Sequence, residues 1–443
     1  MAALAVAGCA PGGSVADTNA SSGAAVASGA GGEVTLTVAD GWGEKGTGEA
    51  FAAVIKDFEQ SHPNIKIDRQ TTDYTSYQDS VILKGSSPNP PDVMMLEDAG
   101  YGQGFYKLAS SNLLLPLDKY ADKYNWNDRF GTPKSLNVFR FNTDQDQWGE
   151  GQLYGVPEQN ALIGVFYNKT LAKKIGMSGP PTSFDEFEQS LAKAKDQGVT
   201  GITEAADPSQ STFIYTEMAL WASFAKSDDD INNWIYGKSG TFANPENLKA
   251  AQTIQEWEKQ GYFQAGAVSM NASDAIAQFL NGQSLYYIGG SWQSGGVDSK
   301  MGNEAGWFLI PGQADQSPAG GGLTTPLAIS AKTKHPDQAA EFLDYFTSKS
   351  ASKTLFQNDW GLPGGTVSST LAPSGSTTAT IIDKAAEVEG PDGGGTIPFL
   401  NWATPKLTAS LPAALQELVG GKLTPQQYVD QIQSDWEAFH HKG

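Results

Sequence analysis

The sequence predicts an α/β protein built on a largely parallel sheet, and its first hundred residues supply the observations behind this. Residues 34–38 alternate apolar and polar side chains, as a half-buried strand does. Apolar residues then recur at helical spacing over 51–58, and strand alternation resumes at 65–67. Strand, helix and strand in this order predict a β-α-β unit with parallel strands. The continuous apolar run 93–96 fits a strand buried on both faces.

Later segments continue the mixture of strands and helices. Strands are predicted at 163–167 and 285–288. Helices are predicted where capping signals or apolar residues at helical spacing occur: after Ser183, after Ser273, over 339–346 and after Thr424. Trp221 lies in an apolar helical run and is expected in the core, whereas His440 and His441 are expected to form an exposed tail.

Composition excludes several classes of function. The chain has 443 residues, 39% of them hydrophobic, and a formal net charge of −20. Proteins that bind nucleic acid or anionic membranes need basic surfaces, so neither activity is expected. No apolar run is long enough to span a bilayer. One cysteine and four histidines, without ligand spacing, predict no metal site, and no cofactor-binding motif is present.

The N-terminus carries a signal of export. Residues 1–9 are small and apolar and end in Ala7-Gly8-Cys9, which resembles the lipobox of bacterial lipoproteins, whose cysteine is lipidated. Residues 10–32 are almost entirely Ala, Gly, Ser, Thr and Pro and are expected to form a flexible tether. The sequence therefore predicts a globular body anchored through a lipid on Cys9.

Several short motifs follow one another in order along the body. They are Pro91-Asp92-Val93, Leu114-Leu115-Pro116-Leu117, Tyr154-Gly155-Val156-Pro157, Phe166-Tyr167-Asn168-Lys169, the helix start at 180–186, Phe279-Leu280-Asn281-Gly282, and Tyr287-Ile288-Gly289-Gly290-Ser291-Trp292. Their order and spacing resemble the carbohydrate-type extracellular solute-binding proteins of ABC importers, the group that includes maltose-binding protein. The resemblance covers nearly all of residues 33–443.

The resemblance implies a two-lobe periplasmic-binding-protein-like fold of type II, with discontinuous lobes joined by hinge segments. The N-terminal lobe is expected to comprise 33–157 plus 320–352, and the C-terminal lobe 161–312 plus 360–443. By analogy, the chain passes between the lobes near 158–161, 311–320 and 350–360.

The resemblance also implies a function without catalysis. The protein is expected to capture a sugar, a di- or oligosaccharide, between its lobes and to deliver it to ABC permease subunits. It is expected to be a monomer on the extracellular face of a bacterial membrane, in contact with that membrane only through its lipid anchor.

Aromatic and polar residues in loops are the candidates for contact with such a ligand. A site for a neutral sugar must replace the bonds of its hydroxyls to water and cover its C–H faces with flat rings. Trp292 matches the stacking tryptophan of the family, and the hinge is expected to present its polar side chains to the cleft. The predicted ligand-binding residues are Trp42, Glu44, Tyr74, Asp98, Glu158, Gln159, Asn160, Tyr215, Trp292 and Trp360.

Two other hypotheses remain open on the sequence alone. An extracellular glycoside hydrolase could use a pair of carboxylates among Glu44, Glu97, Asp98 and Glu158. A binding protein for a polyamine or another non-sugar solute could use the same carboxylates together with the aromatic rings.

Overall fold

Strands and helices follow one another throughout the computed structural model, which describes residues 32–43, 46–96, 98–131, 135–312, 317–358, 360–365, 367–390 and 392–441. The strands are β1 (Val34–Asp40), β2 (Ile65–Thr71), β3 (Val93–Met95), β4 (Arg140–Asn142), β5 (Gln147–Trp148), β6 (Gln152–Leu153), β7 (Val156–Asn168), β8 (Thr200–Thr203), β9 (Ser284–Gly290), β10 (Ala305–Phe308), β11 (Ala319–Ile329) and β12 (Thr396–Ile397). The helices are α1 (Thr47–Ser61), α2 (Tyr74–Ser86), α3 (Gln103–Ser110), α4 (Asp118–Tyr124), α5 (Trp126–Arg129), α6 (Lys169–Lys174), α7 (Phe184–Asp196), α8 (Phe213–Phe224), α9 (Asp229–Ile235), α10 (Pro245–Lys259), α11 (Ala272–Leu280), α12 (Ser294–Met301), α13 (Pro336–Phe346), α14 (Lys349–Gln357), α15 (Thr377–Val388), α16 (Leu407–Val419) and α17 (Pro425–His440).

The β-α-β unit predicted at the start of the body is confirmed. β1 pairs in parallel with β2 along its whole length and with β3 on its other side. Helix α1 buries Phe51, Val54 and Phe58, the apolar face that the spacing predicted. The carboxyl ends of β1 and β3 therefore lie at one edge of the sheet, where Trp42 and Asp98 follow them.

Two long strands make the sheet mixed, and the expectation of a largely parallel sheet is wrong. β7 and β11 pair antiparallel with each other, from Val156 opposite Leu327 to Leu162 opposite Gly321. β11 also pairs antiparallel with β3, and β7 with β9 and β10. The two strands run in opposite directions, and each has at least two antiparallel neighbours in the sheet.

The same two strands join the two lobes. One end of β7 and β11 completes the sheet of β2, β1 and β3, while the far end of β7 pairs with β9, which pairs with β8. A third passage lies alongside, because Asn160 N–H donates to Leu362 O (3.0 Å) and Gly364 N–H donates to Glu158 O (2.8 Å). The exact lobe boundaries remain predictions, and by contacts residues 33–443 form one unit.

Glycine allows β11 to lie close to β7. Gly321 has φ +123° and Gly322 has φ +92°, values that side chains with a Cβ rarely adopt. A Cβ on Gly321 would lie 2.2 Å from Ala161 O on β7. The glycines at 320–322, next to the passage predicted near 311–320, therefore lie in a paired strand.

Most predicted helices form, with two differences in detail. Ser183 and Thr424 cap α7 and α17 as predicted, but α11 is capped by Asn271 rather than Ser273, because Asn271 Oδ1 accepts the Asp274 N–H. Trp221 is buried as predicted. His440 is not an exposed tail residue, since its ring packs against Tyr101 with centroids 5.1 Å apart. None of the helices described here is long and apolar enough to cross a membrane.

The lobes touch along the side of the cleft. Tyr101, which follows β3, donates its N–H to Trp402 O (3.0 Å), and its ring packs against Phe439 at 5.0 Å. Nearby, Trp148 packs against Tyr236 with centroids 4.5 Å apart. These contacts join residues that are predicted to belong to different lobes.

The C-terminal lobe contains a buried carboxyl, Glu217, that takes part in none of the ion pairs formed by the described residues. Glu217 on α8 is fully buried and accepts a hydrogen bond from Tyr428 Oη (2.6 Å) on α17. Burial raises the pKa of Glu217 to about 8, because the interior disfavours its charged form, and the Tyr428 hydrogen bond only partly opposes this. The folded protein therefore binds a proton here that the unfolded chain releases.

This proton links stability to pH. Below the unfolded pKa of about 4.5 the stabilising contribution of neutral Glu217 is complete, and it is lost as the pH rises towards about 8. We expect Glu217→Gln to remove a fall in the free energy of unfolding of about 1.4 kcal/mol per pH unit over this interval. Urea unfolding at a series of pH values measures it, and equal slopes for wild type and variant would contradict the assignment.

Candidate functional site

A cavity of about 460 Å³ lies between the lobes, beside β7 and β11. Side chains from both lobes line it, and most are aromatic or carry a hydroxyl or amide group. The lining residues are Trp42, Thr47, Tyr74, Gln159, Ile214, Tyr215, Trp292, Thr324, Thr325, Trp360, Phe399, Asn401 and Trp402. Six of the ten predicted ligand residues are in this set: Trp42, Tyr74, Gln159, Tyr215, Trp292 and Trp360.

The first wall is an aromatic cluster of Trp42, Tyr74 and Trp360, here called the N-lobe cluster. Trp42 stacks on Tyr74 with ring centroids 5.2 Å apart and planes inclined by 25°. Trp360 meets Trp42 edge to face at 5.4 Å. Trp360 also packs against Phe51 of α1, which places its ring beside elements of the N-terminal lobe.

The second wall is an aromatic cluster of Tyr215, Trp292, Phe399 and Trp402, here called the C-lobe cluster. Tyr215 meets Trp292 edge to face at 5.4 Å, and both rings lie near Phe399. Phe399 in turn meets Trp402 at 4.9 Å. Trp292 lies over Gly290, where a Cβ would be 2.0 Å from the indole. The two clusters thus contribute flat apolar surfaces to one cavity from opposite lobes.

Hydrogen bonds hold the Trp42 loop from behind. The N–H of Trp42 donates to Asp40 Oδ1 (2.8 Å), and its carbonyl accepts from Arg69 Nη2 (2.9 Å). Arg69 also forms a two-point ion pair with the buried Asp40, at 2.7 and 2.8 Å. The indole N–H donates to Glu158 Oε1. Backbone and side chain of Trp42 are therefore both fixed by the fold before any ligand arrives.

Polar groups between the clusters come from the crossing strands. Gln159 of β7 lies opposite Thr324 of β11, and both line the cavity with Thr325. Thr325 has φ +52°, a region that β-branched residues rarely occupy and that is found at functional sites. Asn401 adds an amide from the segment before α16. Hydroxyl and amide groups can both donate and accept hydrogen bonds, which suits a ligand rich in hydroxyls.

A larger cavity of about 690 Å³ continues from the first. The two share Ile214, Tyr215, Asn401 and Trp402. The larger one is lined by polar side chains such as Gln78, Asp79, Gln210 and Thr212, together with Tyr77 and Asp98. The cleft therefore has an aromatic inner part and a more polar outer part.

Asp98 lies at the outer part of the cleft and also caps the start of α3. Its Oδ1 accepts the N–H groups of Gly104 (2.9 Å) and Phe105 (3.1 Å) at the start of α3. These N–H groups have no partner within the helix, so a carboxylate satisfies them. Asp98 lines the larger cavity from this position.

Two hinge residues predicted to contact ligand point elsewhere. Glu158 is fully buried beneath Trp42 and lines neither cavity. Asn160 Nδ2 donates to Glu389 Oε1 (2.9 Å) on the C-terminal side of α15. Side chains alternate along a strand, so when Gln159 faces the cavity its two neighbours face away. Glu158 and Asn160 therefore line neither of the two cavities described here, and their contact with a ligand stays a prediction.

Another buried carboxyl supports the C-lobe wall. Glu204, which follows β8, accepts hydrogen bonds from Thr212 Oγ1 and from Thr216 Oγ1 (2.6 Å). Burial raises the pKa of Glu204 to about 8, and its hydrogen bonds only partly oppose this. Thr212 lies at the start of α8, so Glu204 fixes the backbone that carries Tyr215 into the cavity.

Sequence reasoning missed part of the lining. The segment just before α16 contributes Phe399, Asn401 and Trp402. The strand β11 contributes Thr324 and Thr325, and the glycines at its start hide the usual sequence pattern of a strand. In Phe399-Leu400-Asn401-Trp402 aromatic rings flank an amide, as expected for a loop that contacts a sugar. This signal in the sequence indicates Phe399, Asn401 and Trp402. Glu44 and Cys9 lie outside the described residues.

Among the described residues, no group of three or more His, Cys, Asp or Glu side chains could hold a metal ion. The residues that line the site form a cleft between the lobes. Rings and neutral polar groups face a cavity between lobes, and the buried carboxyls of Glu158 and Glu204 lie behind them.

A two-lobe α/β fold with a cleft at the crossing strands defines a solute-binding protein. A family model for bacterial extracellular solute-binding proteins matches residues 41–353, and the chain belongs to this family.

Two relatives have about 25% sequence identity with this chain over the aligned residues. The multiple sugar-binding protein of Streptococcus mutans is 25% identical over 328 residues, covering 69% of this chain and 70% of that protein. An uncharacterised lipoprotein of Streptomyces antibioticus is 24% identical over 336 residues, covering 72% and 67%.

A solved structure shares the fold. The structure of a chitin oligosaccharide binding protein superposes with a TM-score of 0.74 at 20% identity, and the match covers 93% of this chain and all of that one.

The position of Trp292 can be tested through Gly290. Its backbone has φ −87° and ψ 159°, which alanine tolerates, and the three atoms nearest to an added Cβ all belong to the indole of Trp292. We expect this variant to shift the Trp292 indole N–H resonance, assigned by its loss in Trp292→Phe. Gly295→Ala is the control, since nothing lies within 4 Å of its Cβ. An unchanged Trp292 resonance in Gly290→Ala would contradict the packing described.

Proposed function

We propose that this protein captures an oligosaccharide between its two lobes outside the cell and hands it to an ABC importer. The observation that carries the proposal is the pair of aromatic clusters on opposite walls of one cavity. Aromatic faces cover the C–H surfaces of sugar rings, and they lose little conformational entropy in doing so.

The polar groups between the clusters support a neutral, hydroxylated ligand. Gln159, Thr324, Thr325 and Asn401 offer donors and acceptors without net charge. Among the described residues that line the 460 Å³ cavity, none carries a charge. A polyamine would instead require carboxylates facing the rings, because its charges must be compensated when they leave water.

The size of the cleft supports a ligand of more than one sugar ring. The inner cavity falls within the range usual for small-molecule sites, and the outer cavity of about 690 Å³ continues from it. A chain of sugar rings could begin between the aromatic clusters and extend past Tyr215 and Trp402 into the polar part. The multiple sugar-binding relative and the chitin oligosaccharide binding protein fit this substrate class.

Capture requires that the ligand favour the closed lobes. A ligand shifts the lobes only by the difference in its affinity for the two states. Rings placed on both walls provide that difference, because an open cleft could engage one cluster only. The closed, loaded form would then dock on permease subunits in the membrane, as a monomer held there by the lipid on Cys9. The name of the Streptomyces relative is consistent with such an anchor.

A hydrolase remains the competing function to be tested. It would place two carboxylates on either side of a glycosidic bond. Asp98 and Asp79 line the outer cavity, but Asp98 is engaged at the start of α3. We therefore propose binding without catalysis.

Calorimetric titration tests the ligand class. Maltotriose, chitotriose, xylotriose, raffinose and spermidine would each be titrated into the protein, and the same mixtures assayed for released reducing sugar. We expect at least one trisaccharide to bind without release of reducing sugar. Binding of spermidine alone would overturn the proposal, and release of reducing sugar would favour the hydrolase.

The stacking role of Trp292 gives a specific expectation. Trp292→Ala should weaken binding of the sugar by ~1–3 kcal/mol, because it removes one of the two indole rings of the C-lobe cluster. Titration calorimetry measures the change. Tyr124→Ala is the control: Tyr124 stacks on Trp126 away from the cavity, so its loss should leave the affinity unchanged. Equal affinities in Trp292→Ala and wild type would remove Trp292 from the site.

A further inference from the structure

Glu158 is a buried carboxyl directly behind the binding cavity. It lies in β7 where the chain passes between the lobes, and none of its surface is exposed. Its side chain accepts the indole N–H of Trp42, which lines the cavity. Its backbone carbonyl accepts the Gly364 N–H (2.8 Å) from the third passage between the lobes. Glu158 therefore links a cavity wall to the segments that must move when the lobes open.

The groups around Glu158 leave it without a cation of its own in the described part of the chain. Asp40 at the end of β1 and Arg69 of β2 face it, but Arg69 is bound to Asp40 at two points. Tyr77 of α2 is also near, and its hydroxyl donates to the carbonyls of Ala39 and Met95. Glu158 Oε2 has no hydrogen-bond partner among the described residues.

This environment favours a neutral carboxyl. Burial raises the pKa of Glu158 well above its usual range, and the nearby charge of Asp40 acts in the same direction. The Trp42 hydrogen bond and Arg69 oppose the shift without cancelling it.

We propose that Glu158, in its protonated form, is the residue that positions Trp42 for the ligand, so that capture weakens as this carboxyl ionises. Glu158 lines neither cavity and acts through the indole. The inference rests on the proposed function, because it assumes that Trp42 packs against a bound sugar.

The sign of the effect follows from what covers the carboxyl. Trp42 and the backbone of the third passage lie against Glu158. An ionised Glu158 with an unpaired oxygen needs water, which reaches it when the indole moves aside. Proton uptake and the position of Trp42 in the cavity wall therefore favour each other by linkage, so a rising pH displaces Trp42 and weakens capture.

Two variants separate the charge of Glu158 from its hydrogen bond. Gln at this position still accepts the Trp42 N–H through its carbonyl oxygen and cannot ionise. Leu fills similar space but accepts nothing, which leaves the indole N–H unpaired. Glu217→Gln is the matched control, because Glu217 is equally buried, lies between α8 and α17, and lines neither cavity.

The first measurement is affinity against pH. Maltotriose, chitotriose, xylotriose and raffinose would be titrated into the wild type and variants from pH 5 to pH 9.5. We expect the wild type and Glu217→Gln to lose about tenfold in affinity as the pH rises. Glu158→Gln should retain the acid-side affinity throughout, and Glu158→Leu should bind about tenfold more weakly at every pH. A pH profile in Glu158→Gln equal to that of the wild type would overturn the proposal.

The second measurement needs no sugar and keeps the inference separate from the proposed function. The fluorescence of Trp42, taken as the difference between each protein and its Trp42→Phe partner, would be followed over the same pH range. We expect a single transition in the wild type and in Glu217→Gln and none in Glu158→Gln. Failure of all four sugars to bind would count against the proposed function alone, whereas a transition that survives in Glu158→Gln, or is absent from the wild type, would overturn the role of Glu158.

Discussion

The antiparallel pairing of β7 with β11 is the constraint on which the rest of the structure depends. These two strands belong to the sheets of both lobes, so their pairing fixes where the lobes meet. Gln159, Thr324 and Thr325 lie at their middle and become the polar floor of the cavity. The walls then follow from the loops that leave neighbouring strands, with Trp42 after β1 and Trp292 after β9.

Buried polar groups hold these walls in place, each from behind. Asp40 and Arg69 fix the backbone of Trp42, Glu158 accepts its indole N–H, and Glu204 fixes the threonines on either side of Tyr215. Burying such groups costs free energy unless they form hydrogen bonds. Once they do, they make the backbone and rings of the cavity wall rigid. A preformed wall loses less entropy when it binds, which raises affinity without additional contacts.

The first β-α-β unit and the N-caps of α7 and α17 were predictable because local pattern alone determines them. The aromatic residues of the cavity could be selected for a similar reason, since a tryptophan flanked by glycines in a loop has few partners nearby. The orientation of Glu158 and Asn160 could not be predicted from the sequence. It depends on which face of β7 each side chain occupies, and pairing with β11 sets this. The strand nature of Gly321 and Gly322 is likewise a tertiary effect, because glycine disfavours strands unless close backbone approach requires it.

The positions of His440 and Trp360 also could not be predicted from local sequence. Each belongs to a segment whose local pattern indicates a tail or a loop, yet each packs against residues far away in sequence, Tyr101 and Phe51. Contacts between distant segments of this kind decide which lobe a residue serves, and they leave no periodic signal in the sequence.

The most direct test of the central claim is a crystal structure of the protein with a bound trisaccharide. One sugar ring should lie between the N-lobe cluster and the C-lobe cluster, within contact of Trp42 and Trp292, with its hydroxyls bonded to Gln159 or Asn401. A ligand bound outside this cavity, or one that touches a single cluster while the lobes stay closed, would contradict the account.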